Sequence, residues 1–387
     1  MLVFVGLLFL IGCTEGHAGL ADLTLLTEAA QSGAVCLDGT PGAYYFRQGW
    51  GDGANKWFIF HEAGAWCFSL EHCYARSLTD SGSSKNYPPS IDLSGAYFDP
   101  DPLINPQMYN WNIVFLRYCD GGSFSGNNAT ATYFNNTFLY FRGFSLLQAM
   151  HQDLFNNRGL QFATDAVISG CSAGGLATFL HLDWWKMNLA HHTHVVGFID
   201  SGFFLDYESS TQQFHSNMLW TFEWMAAKDG VNQACITAHS KSPWMCFFAQ
   251  YAAHFIQTPI FALQPLYDWY QIDYILGTNE TAAVNQYGKT LYTHFYDSLL
   301  RWTVRTVRNG AFVDSCNHHC GAWGDIHIQG KNQALAFMGW YAQSKEIYFQ
   351  EEDQSLAFMT WSAQSTDRIF FQYKAYPCES CCETALD

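Results

Sequence analysis

Short runs rich in β-branched and aromatic residues alternate with longer stretches of helical periodicity along the chain. Several of the short runs are apolar throughout, which is typical of parallel strands buried on both faces of a sheet. The predicted strands are residues 57–61, 112–117, 165–170, 195–200 and 259–263, with a shorter one at 311–313. The predicted helices are residues 141–157, 173–189, 213–228, 244–256, 286–308 and 332–345. This alternation predicts an α/β protein with a doubly wound, mostly parallel sheet and helices on both faces.

The remaining segments predict surface loops rather than a second domain. Residues 80–107 and 120–137 are rich in Gly, Ser, Asn and Pro, and we expect them to form loops above the sheet. The sequence contains no internal repeat and no low-complexity linker. A single domain over residues 18–387 is therefore expected, ending in a cysteine-rich tail.

Composition and charge narrow the possible partners. Of the 387 residues, 49% are hydrophobic and only 13% are charged, about half the usual charged share of roughly 25%. Such a chain can bury a large core. Its 18 basic and 34 acidic residues give a net charge of −16, which disfavours nucleic acid and anionic membrane surfaces as partners.

The amino terminus predicts export. Residues 2–12 form an unbroken apolar run, too short to span a bilayer but of the size of a signal-peptide core. We therefore predict a signal peptide over residues 1–17 and a secreted protein, although no Lys or Arg precedes the run. The alternatives are a buried strand, or a lipoprotein cleavage box at residues 10–13. No other run is long enough to predict a transmembrane helix.

Asparagine and cysteine usage agree with secretion. Glycosylation sequons occur at Asn128, Asn135 and Asn279. Without Cys13, the 13 cysteines become twelve, an even number that predicts a disulfide framework in a secreted chain. Two pairs are close enough in sequence to close small loops: Cys67 with Cys73, and Cys235 with Cys246. The alternative to some of these bridges is a zinc site formed by Cys316, Cys320, Cys378 and Cys381, but we expect no metal or other cofactor.

The segment 166–175 carries the clearest chemical motif. A β-branched run ends in Gly170-Cys171-Ser172-Ala173-Gly174, and an apolar helical pattern follows. A Gly-x-Ser-x-Gly sequence between a strand and a helix is the context of the nucleophile elbow in α/β-hydrolase-like folds. Ser172 is therefore the predicted nucleophile.

A serine nucleophile needs a general base that an acid holds in place, and in this fold both follow later in the chain, acid first. Asp268 follows the predicted strand 259–263 and is the predicted acid. Asp200 at the end of the strand 195–200 is its competitor, and Asp206 and Asp273 are weaker candidates. The base is predicted within residues 316–320, where His318 and His319 stand between two cysteines. Residue patterns alone leave the choice between these two open, and His327 is a further alternative.

An oxyanion hole requires converging backbone N–H groups. One N–H is expected from Ala173, directly after the nucleophile. The other is expected from the small-residue turn after the strand 57–61, where Gly64 and Ala65 precede Trp66 and Cys67.

At these positions the chain resembles the pectin acetylesterase/Notum family of secreted carboxylesterases. The matching pieces occur in order at residues 36–41, 57–67, 117–121, 170–175, 200–206, 267–272 and 316–320. Carried over by position, the resemblance places the nucleophile at Ser172, the acid at Asp268 and the base at His319, which the Cys-x-x-His-Cys spacing selects over His318. One departure is that Ala63 and Ala65 occupy a turn that is usually richer in glycine in this family. A positive φ at Ala63 would cost of order 1 kcal/mol.

The resemblance implies hydrolysis of an ester through an acyl-enzyme. We expect acetyl esters on a cell-wall polysaccharide such as pectin to be the substrate, and a monomeric enzyme in the extracellular space or cell wall. The alternatives are a Notum-like deacylase that removes a longer acyl chain from a protein or lipid, and a catalytically silent secreted module that binds carbohydrate or lipid. The aromatic residues between 206 and 274 suit a sugar platform, an acyl pocket or a plain core.

Overall fold

The computed structural model describes residues 19–209, 212–301, 309–350, 368–378 and 381–382. The predicted signal peptide lies outside these residues. The strands are β1 (Leu20–Leu25), β2 (Ala43–Arg47), β3 (Lys56–His61), β4 (Ser90–Asp92), β5 (Asn112–Leu116), β6 (Thr132–Phe134), β7 (Thr137–Leu139), β8 (Asp165–Cys171), β9 (His194–Asp200), β10 (Ile260–Pro265), β11 (Gly310–Asp314), β12 (His327–Ile328), β13 (Lys331–Asn332) and β14 (Ile369–Phe371). The α-helices are α1 (Thr27–Gln31), α2 (Leu70–Ser77), α3 (Gly143–Asn157), α4 (Ala173–Asn188), α5 (Gln213–Trp224), α6 (Gln233–Ala238), α7 (Ala249–Ala252), α8 (Trp269–Gln271), α9 (Thr281–Phe295) and α10 (Gln333–Gln350).

Ten of these strands form one central sheet in the order β14-β11-β10-β9-β8-β3-β5-β2-β1-β4. Neighbouring strands from β14 to β5 run parallel. The strands β2, β1 and β4 extend the sheet with antiparallel pairs. The predicted α/β fold with a mostly parallel sheet is therefore confirmed, and all six predicted strands are present.

The parallel strands are apolar throughout because both faces of the sheet are covered. Consecutive residues such as Val167 and Ile168 on β8 belong to cores on opposite faces. Helices α3, α4 and α9 pack on one face, and α10 packs on the other through residues such as Phe337. This two-sided burial is why the strands lack a polar–apolar alternation.

Two of the predicted helices differ from the structure in their extent or continuity. The predicted helix 244–256 is instead a 3₁₀ turn (Pro243–Phe247), the short α7 and a second 3₁₀ turn (Ala253–Phe255), because Phe248 is extended with φ −110° and ψ 132°. The predicted helix 286–308 begins earlier, as α9, and continues as a π-helical turn (Tyr296–Leu300). Its last residues, 302–308, lie outside the described part of the chain.

The topology brings the loops that carry the predicted site to one edge of the sheet. Strands β3, β5, β8, β9, β10 and β11 are parallel, so their carboxyl ends open onto the same edge. Crevices at the carboxyl ends of the strands are where open α/β sheets bind ligands. In the described residues no helix is long and apolar enough to cross a membrane.

Candidate active site

Ser172 occupies a strained turn between β8 and α4. Its backbone angles are φ 56° and ψ −124°, and its N–H donates to the carbonyl of Asp200 at 3.0 Å. The flanking glycines make this turn possible. A Cβ on Gly170 would overlap the carbonyl of Gly174, and a Cβ on Gly174 would overlap the carbonyl of His61. Such strain at an L-residue is typical of functional sites, and here it holds Ser172 at the amino terminus of a 16-residue helix.

The structure brings His319 and Asp268 together. Nδ1 of His319 lies 2.8 Å from Oδ2 of Asp268, and the two side chains are 9% and 0% exposed. The carboxylate is also fixed from behind, because Oδ1 accepts the N–H groups of Tyr270 (2.9 Å) and Gln271 (3.4 Å) as the cap of α8. With Nδ1–H donating to Asp268, Nε2 of His319 is left as the basic nitrogen.

His318 has a different environment. Its Nε2 lies 3.2 Å from both carboxylate oxygens of Asp314 at the end of β11. Although burial opposes protonation, the Asp314 carboxylate raises the pKa of His318 to about 9. At neutral pH the imidazole is therefore protonated and ion-paired, which anchors the loop that carries His319.

The competing acid, Asp200, contacts the backbone that follows the predicted base. Its Oδ2 accepts the N–H of Gly321 at 2.9 Å, and its Oδ1 accepts the hydroxyl of Ser201 at 2.9 Å. The oxygen of Ser201 in turn accepts the N–H of Cys320 at 3.0 Å. The end of β9 thus supports the histidine loop through hydrogen bonds to its main chain.

A disulfide links the two halves of the site. Cys171, directly before Ser172, is bonded to Cys320, directly after His319, across 149 residues of sequence. Sequence reasoning had placed both cysteines near the site but could not pair them. The bridge fixes the separation between the backbones of the predicted nucleophile and the predicted base.

Breaking this bridge is expected to reduce catalysis as well as stability, because it joins segments 149 residues apart and its loss should lower the free energy of unfolding by about 5 kcal/mol. We expect the Cys171→Ser/Cys320→Ser variant to lose about 100-fold in kcat, because a displacement of about 1 Å in a catalytic group has an effect of that size. The matched control is Cys235→Ser/Cys246→Ser, which removes the bridge from α6 to the following 3₁₀ turn and should lower only the free energy of unfolding, by about 2–3 kcal/mol.

If the first variant does not fold, a dithiothreitol titration of the native enzyme tests the same point, because Cys171 and Cys320 are both partly exposed. Activity should fall before the near-ultraviolet circular dichroism changes. Loss of activity and of circular dichroism at the same reductant concentration would mean that the bridge supports the fold alone.

The predicted oxyanion loop follows β3. Gly64 has φ 148° and Ala65 has φ 52°, whereas Ala63 is not among the residues with positive φ. The strain expected at Ala63 therefore falls on Ala65. Glycine is favoured at position 64 because L side chains rarely adopt a φ of 148°, and a Cβ there would also lie 3.2 Å from side-chain atoms of Arg76 and Tyr118. Ala65 keeps its conformation because the hydroxyl of Tyr118 donates to its carbonyl at 2.7 Å.

A buried hydrogen-bond network joins this loop to α4. The hydroxyl of Tyr118 accepts the N–H of Ser123 at 3.0 Å, and the hydroxyl of Ser123 donates to the carbonyl of Ala173 at 2.8 Å. Trp66 Nε1 donates to the same Ser123 oxygen at 2.7 Å. Sequence reasoning missed Tyr118 and Ser123, since nothing in their local pattern indicates contact with residues more than 50 positions away.

An aromatic cavity adjoins the predicted base. It has a volume of about 210 Å³ and is lined mainly by aromatic and apolar side chains, including Trp66, Phe214, Met218 and Tyr270. The ring of Tyr270 stacks on His319 with centroids 5.3 Å apart. Trp269 meets His319 edge-on at 5.4 Å and stays 42% exposed. Other aromatic residues of this region, such as Phe222 and Phe247, belong to the core.

The cysteines considered for zinc are all bonded to other cysteines. The disulfides are Cys36–Cys119, Cys67–Cys73, Cys171–Cys320, Cys235–Cys246, Cys316–Cys382 and Cys378–Cys381. The zinc alternative was therefore wrong, and the two predicted short-loop bridges are confirmed. Within the described ranges, no group of three or more His, Cys, Asp or Glu side chains could hold a metal ion.

The three sequons differ in accessibility. Asn135 lies in the turn between β6 and β7, and Asn279 lies before α9; both are exposed. Asn128 is half-buried, and its side-chain amide donates to the carbonyl of Trp224 at 3.2 Å. Glycosylation stays a prediction at all three positions and suits Asn135 and Asn279 best.

Comparison with known proteins identifies the family of the chain. The family described as Pectinacetylesterase matches residues 15–383. Pectin acetylesterase 5 of Arabidopsis thaliana is 30% identical over 357 residues, which cover 85% of this chain and 82% of that protein. Pectin acetylesterase 7 of the same plant is 33% identical over 325 residues, with coverage of 78% and 80%.

The names of more distant relatives describe a longer acyl group, palmitoleoyl, as the substrate. The human palmitoleoyl-protein carboxylesterase NOTUM is 27% identical over 327 residues, which cover 79% of this chain and 64% of that protein. The structure of the Wnt deacylase Notum from Drosophila superposes with a TM-score of 0.73 at 22% identity, over 84% of this chain and 94% of that one. The fold is thus that of Notum, and the chain belongs to the pectinacetylesterase family and is a carboxylic ester hydrolase.

Proposed function

We propose that the protein is a serine esterase that removes acetyl groups from a cell-wall polysaccharide such as pectin. The observation that carries the mechanism is the hydrogen bond between His319 and Asp268, on a loop joined by the Cys171–Cys320 bridge to the strained turn of Ser172. A histidine base that a buried carboxylate orients, next to a serine on a nucleophile elbow, is the arrangement of side chains that catalyses acyl transfer.

The proposed reaction has two halves. Ser172 Oγ attacks the ester carbonyl as His319 Nε2 takes its proton, and the same imidazolium then protonates the departing sugar oxygen, which leaves as a hydroxyl group. Water, deprotonated by His319, releases acetate from the acyl-enzyme. Asp268 stays ionised throughout and stabilises the imidazolium.

The developing oxyanion is stabilised by backbone N–H groups of Gly64, Ala65 and Ala173. The loop of Gly64 and Ala65 and the first turn of α4 are joined through Tyr118 and Ser123, so these donors are fixed before the substrate arrives. Donors that need no reorganisation are the most effective in such a hole.

The size of the aromatic cavity favours a short acyl group. At about 210 Å³ it is slightly larger than the roughly 150 Å³ cavity that holds benzene, and smaller than the roughly 300 Å³ at which pockets for larger ligands begin. Trp269, exposed beside His319, offers a ring face on which a sugar can stack. The net charge of −16 favours an esterified polymer over bare polygalacturonate.

A series of p-nitrophenyl esters tests this choice. We expect kcat/KM to be highest for acetate or butyrate and to fall at least about tenfold by the octanoate, because overfilling a pocket by methylene groups reduces transition-state binding. A rise in kcat/KM up to the palmitate would favour the Notum-like deacylase instead. No Ser172-dependent hydrolysis of any ester would favour the silent binding module.

We also propose that the enzyme acts outside the cell. Six disulfides among the described residues suit an oxidising compartment, and the exposed sequons at Asn135 and Asn279 suit passage through a secretory pathway. The predicted signal peptide over residues 1–17 would direct it there.

A further inference from the structure

Two long side chains hold the carbonyl groups of the predicted oxyanion loop. Arg76 Nη1 donates to the carbonyl of Gly64 at 2.6 Å, and the hydroxyl of Tyr118 donates to the carbonyl of Ala65 at 2.7 Å. The carbonyl of Gly64 and the N–H of Ala65 belong to one peptide group. Arg76 is therefore hydrogen-bonded to the opposite end of the peptide whose N–H is a proposed oxyanion donor.

We propose that Arg76 is a positioning residue for ester hydrolysis, which orients the peptide between Gly64 and Ala65 and polarises its N–H toward the oxyanion. A charged donor on a carbonyl strengthens the hydrogen bond that the N–H of the same peptide makes, because linked hydrogen bonds polarise one another. This inference rests on the proposed function, since it assumes that the oxyanion forms at Ala65.

The position of Arg76 is fixed by its surroundings. It lies in the last turn of α2, which the Cys67–Cys73 bridge ties to the oxyanion loop. Its Nε donates to the carbonyl of Ser81 at 2.9 Å, and its guanidinium lies 4.8 Å from the centroid of the Tyr118 ring. Three separate contacts thus hold the guanidinium plane against the loop.

In the described structure, the carboxylates of Glu62 and Asp120 feel the charge of Arg76, but neither makes an ion pair with it. Among the described residues, no ion pair involves Arg76, and its Nη2 is buried without a hydrogen-bond partner. Its side chain is partly exposed, and its charge opposes the rise in pKa that burial causes at Glu62 and Asp120. Its field acts on the loop where negative charge develops during the reaction, and so it stabilises the transition state more than the neutral ester.

The test uses Arg76→Met and Arg76→Lys with p-nitrophenyl acetate as substrate. We expect kcat to fall roughly 10- to 100-fold in Arg76→Met, less than or equal to the loss of a whole oxyanion donor, with KM changed less than threefold. Arg76→Lys should recover part of kcat, because it restores the charge but not the planar geometry. The affinity for a trifluoromethyl ketone, which forms a tetrahedral oxyanion on the serine, should fall by the same factor as kcat.

The matched control is Arg158→Met. Arg158 lies over the ring of Phe46 at 5.3 Å and donates to the hydroxyl groups of Tyr44 and Thr24. It therefore also combines a ring contact with hydrogen bonds, but it is more exposed and lies on the antiparallel side of the sheet. If the role of Arg76 were merely structural, Arg76→Met would behave like the control, with a lower melting temperature and an unchanged ketone affinity.

If Arg76→Met does not fold, Arg76→Lys gives the decisive measurement, with kcat and ketone affinity expected to fall by the same factor. A folded Arg76→Met or Arg76→Lys enzyme with kcat and ketone affinity within threefold of the wild type would overturn the proposal. Ser172→Ala in the same assay separates the two ideas, since retained activity there would overturn the proposed function itself.

Discussion

Replacement of Ser172 by alanine is expected to lower kcat for ester hydrolysis by about 10⁴-fold or more, with the fold unchanged. In the proposed mechanism the hydroxyl of Ser172 is the attacking group, and alanine cannot form the acyl-enzyme. Folding should be unaffected because the strain at φ 56° is set by the flanking glycines and the helix, rather than by the hydroxyl. Activity on p-nitrophenyl acetate and the melting temperature are the two measurements.

The matched control for this variant is Ser169→Ala on the same strand. The hydroxyl of Ser169 is buried and has no hydrogen-bond partner among the described residues, so its removal should leave activity intact and should not destabilise the protein. Residual activity of Ser172→Ala within tenfold of the wild type would contradict the assignment of the nucleophile.

Local sequence signals were sufficient to predict the parallel strands β3, β5, β8, β9, β10 and β11 and the strand–turn–helix around Ser172. Runs such as that before Gly170 are apolar because both faces are buried, and that pattern is visible without tertiary information. Asp268 could be proposed because an acid is expected after a strand that follows the nucleophile. The antiparallel strands β1, β2 and β4 were missed. β4 has only three residues and β1 is largely exposed, whereas β2 is as buried as β5 but contains two tyrosines and an arginine in place of aliphatic residues.

Features that depend on contacts between distant segments could not be predicted. The pairing of Cys171 with Cys320 requires knowing that β8 and the loop after β11 meet at one edge of the sheet. The choice of His319 over His318 came from the family resemblance, and its physical basis is visible only in space, where Asp268 faces one imidazole and Asp314 the other. Likewise, only the backbone angles reveal that Ala65, not Ala63, has the left-handed conformation.

Asp268→Asn is expected to lower kcat by about 10⁴-fold while leaving the melting temperature nearly unchanged. The reason is that the two oxygens of the carboxylate have different hydrogen-bond partners. Oδ1 accepts the N–H of Tyr270 at 2.9 Å as a helix cap, so the oxygen of an asparagine would take that place and its NH₂ would face His319. An NH₂ donor forces Nδ1 of His319 to accept a hydrogen bond, and the imidazole proton then moves to Nε2. The histidine keeps its position but can no longer take the proton of Ser172.

Asp200→Asn serves as the comparison, because Asp200 is the competing acid and contacts the main chain at Gly321 rather than an imidazole. Its replacement weakens one hydrogen bond to the histidine loop, so kcat should fall by about tenfold or less, in line with a neutral hydrogen bond of about 1 kcal/mol. The pH profile should also separate the two variants. Asp200→Asn should keep the wild-type dependence on a single basic group, whereas Asp268→Asn should lose it, since its histidine holds the wrong tautomer. A 10⁴-fold loss in Asp200→Asn together with an active Asp268→Asn enzyme would transfer the role of acid to Asp200.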